Sequence, residues 1–352
     1  MPKLYVDLKK VTHNARTVAT KAREYGIDIF GVGKGLAGRP EVATALLAGG
    51  CVGIGDSRLE NIRAMRDAGI RADFMLLRLP QISRARETVE LCDISLNSEL
   101  DTLRSLSRHA TELGKEHRVV LMVDLGDLRE GVWPDGLKNL TRAAAALPGL
   151  RVWGLGTNLT CYGGVIPDSH NMSHLVTLAA EAQDILGHRI EVSGGNSGIL
   201  NMLFGGQLPS GITHLRIGEG ILLGLEALNR QPLPGTFTDT CRLEAEVIEL
   251  QAKPSVPVGA LGQDAFGEYP TFVDRGVRKR AILAIGRQDV SIDGLRPLLP
   301  GAIVLGASSD HLLLDVEESP AIRVGDRLGF TPGYGSMLAL ATSNYVETIF
   351  VD

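Results

Sequence analysis

A chain of 352 residues, 44% hydrophobic and 22% charged, is long enough for one large globular domain and a smaller second one. Its net charge of −5 offers no concentrated basic surface for nucleic acid or an anionic membrane, and no uninterrupted apolar run is long enough to span a bilayer. The Met-Pro-Lys start lacks the apolar stretch of a signal peptide, and Cys51, Cys92, Cys161 and Cys241 form no CxxC pair, so neither a disulfide framework nor a zinc site is expected and a reduced cytoplasm fits.

Before about residue 220, short β-rich runs alternate with amphipathic stretches. The spacing predicts a helix over 9–25 and strands over 28–33, 51–55, 73–77, 93–95, 119–124, 152–158, 191–194 and 214–217. Helical stretches at 40–48, 58–68, 98–113, 134–146 and 172–186 fall between them. Parallel strands require such crossovers, and eight units match a (β/α)8 TIM barrel. A doubly wound open sheet is the alternative, but the first turn, Gly31-Val-Gly-Lys-Gly35, lacks the dinucleotide fingerprint. After residue 235 the runs at 242–250, 279–285, 302–305, 312–316 and 327–330 are short, β-branched and punctuated by Gly, Pro and Asp. They read as a predominantly β C-terminal domain. The expected division is 8–235 for the barrel and 236–352 for the β-rich domain, with the strand in 1–7 joining either that domain's sheet or the barrel's edge.

Barrels present their chemistry at the C-terminal ends of the strands. The first strand ends at Lys34, where partial desolvation would lower the amine's pKa and make it a nucleophile toward a carbonyl; a plain surface lysine is the competing reading. The fifth ends in Asp124-Leu-Gly-Asp-Leu-Arg-Glu-Gly131, where Arg129 either clamps a carboxylate or phenolate or pairs with Asp124 or Asp127. The seventh ends in Ser193-Gly-Gly-Asn-Ser-Gly198 and the eighth in Arg216-Ile-Gly-Glu-Gly220, two glycine-rich turns at the usual phosphate position of this barrel. A phosphorylated aldehyde held by the lysine and these turns is the natural inference.

Those stretches, with Phe30-Gly-Val-Gly-Lys34, Gly55-Asp-Ser-Arg-Leu-Glu-Asn61, Asn97-Ser-Glu-Leu-Asp-Thr-Leu103, Asn158-Leu-Thr-Cys-Tyr-Gly163 and Gly306-Ala-Ser-Ser-Asp-His311, carry a resemblance over nearly the whole chain. The chain resembles the alanine-racemase superfamily of fold-type III pyridoxal-phosphate enzymes, most closely its ornithine-racemase-like branch. The resemblance implies a homodimer whose active sites are closed by the partner's C-terminal domain. It makes Lys34 similar to the lysine that bonds to the cofactor aldehyde. Asn196, Ser197, Gly218, Glu219 and Tyr334 match the phosphate site, and Arg216 the arginine facing the pyridine nitrogen. Arg129 matches the arginine near the phenolate and the substrate carboxylate. Asn158 stands where the family has a histidine packed against the ring.

Racemisation by α-proton abstraction from an external aldimine needs an acid/base group on each face. Lys34 serves one. Typical alanine racemases use a partner tyrosine for the other, but the matching stretch here, Ile285-Gly-Arg-Gln-Asp289, has none. His311 is the first choice, its imidazole having a suitable pKa; Asp310, Cys161, Tyr162 and Tyr269 are alternatives. The resemblance favours ornithine or another basic amino acid, with Asp127, Asp264, Asp289 or Asp310 to meet its distal ammonium. Alanine or serine racemisation, a metal-assisted D-amino-acid lyase resembling D-threonine aldolase, and a non-catalytic pyridoxal-phosphate homeostasis protein are the other readings. No metal ligand is assigned.

Overall fold

Helix periodicity and capping set the first elements. The computed structural model describes all 352 residues. It begins with strand β1 (Lys3–Asp7) and helix α1 (Leu8–Arg23). In α1, Val11, Ala15, Val18, Ala19 and Ala22 recur at three- and four-residue spacing and are buried, while Lys21 and Arg23 in the last turn complement the helix dipole. There follow β2 (Asp28–Val32), α2 (Pro40–Ala48), β3 (Gly53–Asp56), α3 (Leu59–Asp67), β4 (Asp73–Leu76), α4 (Ala85–Leu91), β5 (Ile94–Asn97) and α5 (Leu100–Glu112). Next come β6 (His117–Met122), α6 (Pro134–Ala145), β7 (Leu150–Gly156), α7 (Ser169–Leu186), β8 (Glu191–Ser193), α8 (Leu200–Phe204), β9 (His214–Ile217) and α9 (Glu219–Leu222).

Strands β2 to β9 close into a parallel barrel. Closure is made by β2 against β9, with Phe30 opposite Arg216 and Gly31 opposite Ile217. The barrel is filled, not hollow: Phe30, Met75, Ile94, Leu96, Val120 and Met122 form one buried cluster. Burying a large aliphatic or aromatic side chain contributes about 1.5–3 kcal/mol, so this layer alone anchors every strand that supplies it. His214, fully enclosed between the Phe30 and Trp153 rings, has its pKa driven down to about 3 by burial and then by Arg216. It is a neutral packing residue.

The remaining strands are β10 (Cys241–Pro254), β11 (Val277–Leu283), β12 (Arg296–Pro297), β13 (Ile303–Ala307), β14 (Leu312–Asp315) and β15 (Arg327–Thr331), then α10 (Tyr334–Thr342) and β16 (Glu347–Val351). They form an eight-stranded sheet in the order β12-β15-β10-β11-β14-β13, with β1 paired antiparallel to β10 and parallel to β16. The first strand thus belongs to the C-terminal sheet and not to the barrel. By contacts the chain divides into Leu8–Thr238 and a unit made of Met1–Asp7 with Asp239–Asp352. Helix α10 and strand β16 were not expected from sequence. Gly333 and Gly335 flank the start of α10 and read locally as a turn, and β16 gains its place only by pairing with residues more than three hundred positions earlier.

Candidate active site at the barrel mouth

Lys34 follows β2 directly and opens a single 3-10 turn, Lys34–Leu36. The turn is closed by Leu36 N donating to Gly33 O at 3.0 Å, Ala37 N to Lys34 O at 3.2 Å and Gly38 N to Gly33 O at 3.2 Å. Gly38 sits at φ +62, and a Cβ there would lie 2.4 Å from Asn61 Cβ, so only glycine lets the turn pack on α3. Burial lowers the Lys34 pKa, the Arg129 charge lowers it further, and Cys161 and Asp56 oppose the shift. An amine whose proton affinity is lowered gives up its proton more readily and is the better nucleophile or base for it.

Arg216, on β9, is buried and engaged through each of its three nitrogens. It donates from Nε to Ser193 Oγ at 2.8 Å, from one terminal nitrogen to Asn158 Oδ1 at 3.0 Å, and from the other to Thr157 O at 2.5 Å. Burial draws its pKa down to about 10, which still leaves it charged at neutral pH. No carboxylate touches it. Asn158 instead passes the contact on, its Nδ2 donating to Glu130, which also receives both Nε and a terminal nitrogen of Arg129. Residues far apart in sequence are thereby joined into one chain from Arg216 to Arg129. Glu130 was not singled out from sequence, although it lies in the motif that named Arg129; the signal was its position next to an arginine at a strand end.

Neither Asp124 nor Asp127 pairs with Arg129, contrary to one sequence reading. Asp124 Oδ1 accepts from Gly126 N at 2.8 Å and Leu128 N at 3.2 Å. Asp127 accepts from Cys161 N at 3.1 Å, Tyr162 N at 2.9 Å and Val165 N at 3.1 Å. Burial would raise its pKa, but the N–H groups of Tyr162, Val165, Cys161 and Gly163 outweigh that and hold the carboxyl below its usual value. Its acceptors are spent on the loop after β7 and are not available to a ligand's ammonium.

Across the mouth, Asn196 caps the short turn Ser197–Ile199 by accepting from Gly198 N at 2.8 Å, and donates to Leu159 O at 2.9 Å and Cys161 Sγ at 3.0 Å. Ser197 Oγ accepts from Gly220 N at 3.0 Å, tying the turn to α9 and leaving the hydroxyl hydrogen to donate. A Cβ at Gly198 would lie 2.7 Å from Thr160 Oγ1, and one at Gly220 would lie 2.2 Å from Leu200 Cδ1, so a larger residue at either place would push a neighbouring side chain aside. The Glu219 carboxylate lies 3.2 Å from Arg230 Nε, so the N–H of Glu219 and that of Gly218, not the side chain, are suited to an anion.

Asp56, which the sequence showed only as part of the 55–61 motif, also reaches this region. It ends β3, is fully buried, and contributes to the electrostatics of Lys34.

In the C-terminal unit, His311 and Asp310 lie on the turn between β13 and β14, with His311 N donating to Ser308 Oγ at 3.2 Å and Ser309 Oγ to Asp310 at 2.9 Å. Arg287 N donates to Ser308 O at 2.8 Å and Gln288 N to Ser309 O at 3.1 Å, clasping this turn to 285–289. Two motifs read separately from sequence are therefore neighbours. Asp264 is occupied by Phe266 N at 2.8 Å and Glu268 N at 3.0 Å, and Asp289 by Ser343 Oγ at 2.6 Å. Tyr334 is the first residue of α10.

A lysine of lowered proton affinity at a strand end of a closed parallel barrel is the arrangement expected of a lysine-dependent barrel enzyme. The family model of the alanine racemase N-terminal domain matches residues 6–225. The chain is 40% identical over 349 residues to an ornithine racemase of Acetoanaerobium sticklandii, covering 98% of each chain. It is 41% identical over 350 residues to a lysine racemase of Thermotoga maritima, covering 99% of this chain and 98% of the other. In fold it matches the alanine racemase of Streptomyces lavendulae with a TM-score of 0.75, at 19% identity over 100% of this chain and 97% of that one. A Bartonella henselae alanine racemase with covalently bound pyridoxal phosphate matches with a TM-score of 0.73, at 16% identity over 99% of both. The chain belongs to the alanine racemase family and is an amino-acid racemase, an isomerase.

Proposed function

We propose that the protein interconverts the enantiomers of a basic amino acid, ornithine or lysine, with pyridoxal 5'-phosphate as cofactor. The observation that carries this is Lys34, an amine of lowered proton affinity at a barrel strand end; the full-length likeness to an ornithine racemase and a lysine racemase supports the substrate class. The mouth fits an anionic aldehyde. Arg216, which no carboxylate touches, and Arg129, paired with Glu130, are cationic groups there, whereas Asp124 and Asp127 are spent on backbone N–H groups.

When bound, pyridoxal phosphate supplies the electron withdrawal that acidifies the α-proton of an amino acid joined to it. Ser197, Asn196, the N–H groups of Gly218 and Glu219, and Tyr334 would hold the phosphate. Arg216 would face the ring nitrogen beside Asn158, and its guanidinium, still charged at neutral pH, would oppose a proton on that nitrogen and so favour quick return of the α-proton. Arg129 would orient the phenolate and the substrate carboxylate through the guanidinium N–H groups that Glu130 does not receive.

Lys34 Nζ takes or returns the α-proton on one face. His311 is the group proposed for the other, with Asp310 beside it, and its loop lies against the stretch where related racemases carry a tyrosine. This assignment needs a second copy of the chain, a homodimer with shared sites. Exposed apolar side chains between β10 and β11, including Val258 at 93% and Tyr269 at 73%, suit burial by such a partner. The free state of all four cysteines is compatible with a cytoplasmic setting, and no helix is long and apolar enough to cross a membrane.

The test is incubation with each L-amino acid in deuterium oxide, following α-deuteration and D-isomer formation, with the visible spectrum recorded beforehand. The expected result is a visible band absent from Lys34→Ala, and exchange with racemisation of ornithine or lysine. A band without exchange of any amino acid would overturn the racemase reading in favour of a lyase or a carrier.

A further inference from the structure

The motif Gly55-Asp-Ser-Arg-Leu-Glu-Asn61 carries a carboxyl group that no step above uses. Asp56 ends β3 one residue past the pairing of Val32 with Gly55, which places it beside Gly33 and hence beside the start of the lysine turn. Its Oδ1 is fixed by Arg58 N and Asn61 Nδ2, each at 2.9 Å. Its Oδ2 is buried and has no hydrogen-bond partner. A buried carboxyl oxygen left without a donor is costly, about 1–3 kcal/mol or more, so a fold that retains one has a use for it. The orientation is informative: a Cβ built on Gly33 would lie 3.9 Å from Oδ2 and 3.7 Å from Gly38 Cα. The orphan oxygen therefore faces the inside of the turn that bears Lys34. Asn61 serves both sides of the arrangement, holding Oδ1 and packing against Gly38.

No ion pair joins Lys34 to Asp56 in this structure; we propose that Asp56 is a positioning residue for Lys34, its unpartnered Oδ2 receiving the lysine ammonium once the amine has been released from an aldehyde and turned toward β3. This rests on the reading of Lys34 as the amine that the cofactor takes. Lysine carries its charge on a flexible four-carbon stem that can turn toward a neighbouring strand end, and the opposite charges of Lys34 and Asp56 already act on each other. Burial pushes the Asp56 carboxyl up to about 6, against the pull of Arg58 N, Asn61, Ser57 and the Lys34 charge. A carboxyl poised there holds a negative charge at working pH yet is close to accepting a proton. Parked against Oδ2, the released amine would stay at the strand end, clear of an incoming amino acid and ready to return.

The test uses the full chain freed of any bound aldehyde. Lysines are trace-acetylated across a pH series, and Lys34 labelling is read by peptide mass spectrometry relative to the exposed Lys138. In Asp56→Asn the loss of the negative charge should lower the Lys34 midpoint and raise its relative labelling below that midpoint about threefold or more. An unchanged ratio in the folded variant overturns the proposal. Should that variant not fold, the reciprocal measurement decides: the Asp56 carboxyl resonance, followed by carbon NMR, should titrate at higher pH in Lys34→Ala than in the parent. An unmoved midpoint refutes the coupling. Neither readout depends on turnover, so a chain that shows the coupling but racemises nothing retires the functional reading and leaves this one standing.

Discussion

Replacing Asp127 by Asn alters one atom in a carboxylate that receives three backbone donors from a single loop. Oδ2 accepts from Cys161 N and Tyr162 N, and Oδ1 from Val165 N. The variant's carbonyl can keep the pair at Cys161 and Tyr162, but its NH2 then confronts the Val165 N–H, donor against donor. One hydrogen bond to a charged acceptor is lost, about 1.5–3 kcal/mol, and a buried donor is stranded, about 1–3 kcal/mol. Removing a buried charge offsets part of this, leaving an expected loss of about 3 kcal/mol. Urea unfolding at neutral pH measures it, and limited proteolysis within 159–165 should quicken. The native carboxyl is held below its ordinary pKa, so its stabilisation is present above the unfolded value near 3.8 and fades as pH falls through the folded one. The gap between parent and variant should therefore narrow in acid. Because Asp127 is spent on the loop, the ratio of KM values for basic and neutral amino acids should not change. Unaltered stability with a selective loss of basic substrates would refute the argument and return Asp127 to the role of ammonium partner.

Other expectations follow from the same geometry. Asp56 has the opposite sign: its folded pKa of about 6 exceeds the ordinary 3.8, so the parent loses stability as pH rises between those values. At about 1.4 kcal/mol per pH unit this is about 3 kcal/mol; in a Lys34→Ala background, where no ammonium can pair with the carboxylate, denaturant midpoints of added Asp56→Asn should gain on the single variant between pH 4 and 7, and parallel curves would contradict it. Gly38→Ala puts a methyl 2.4 Å from Asn61 Cβ at a positive φ, and should cost about 2 kcal/mol or more in unfolding measurements. His311→Ala should abolish solvent-proton exchange from one enantiomer far more than from the other; equal, mild losses would remove His311 from the second face.

The class of fold was legible because barrel strands and crossover helices differ in local period, and the predicted strand over 214–217 coincides with β9. Lys34 could be located at a strand end for the same reason. The acidic residues of one loop could not be sorted that way. Asp124, Asp127 and Glu130 share a segment of seven residues, yet two are consumed by backbone N–H groups and the third bridges Arg129 to Asn158. For Asp127 and Glu130 the choice was made by chain 28 to 38 residues away, and for Asp124 by N–H groups two and four residues on. Asp56 was invisible as a participant, since only the three-dimensional count of donors reveals that one of its oxygens has none.

By itself the sequence determined the alternation of strands and helices, the change of character near residue 235, and the motifs at the strand ends. These depend on side-chain periods and turn residues that each segment carries within itself. Only the tertiary structure decided that β1 joins the C-terminal sheet, that Arg216 reaches Asn158 across 58 residues, and that the 285–289 stretch is clasped to the His311 turn. Hydrogen-bond donors and acceptors are finite, and which of them remain free is known only once the distant segments have come together.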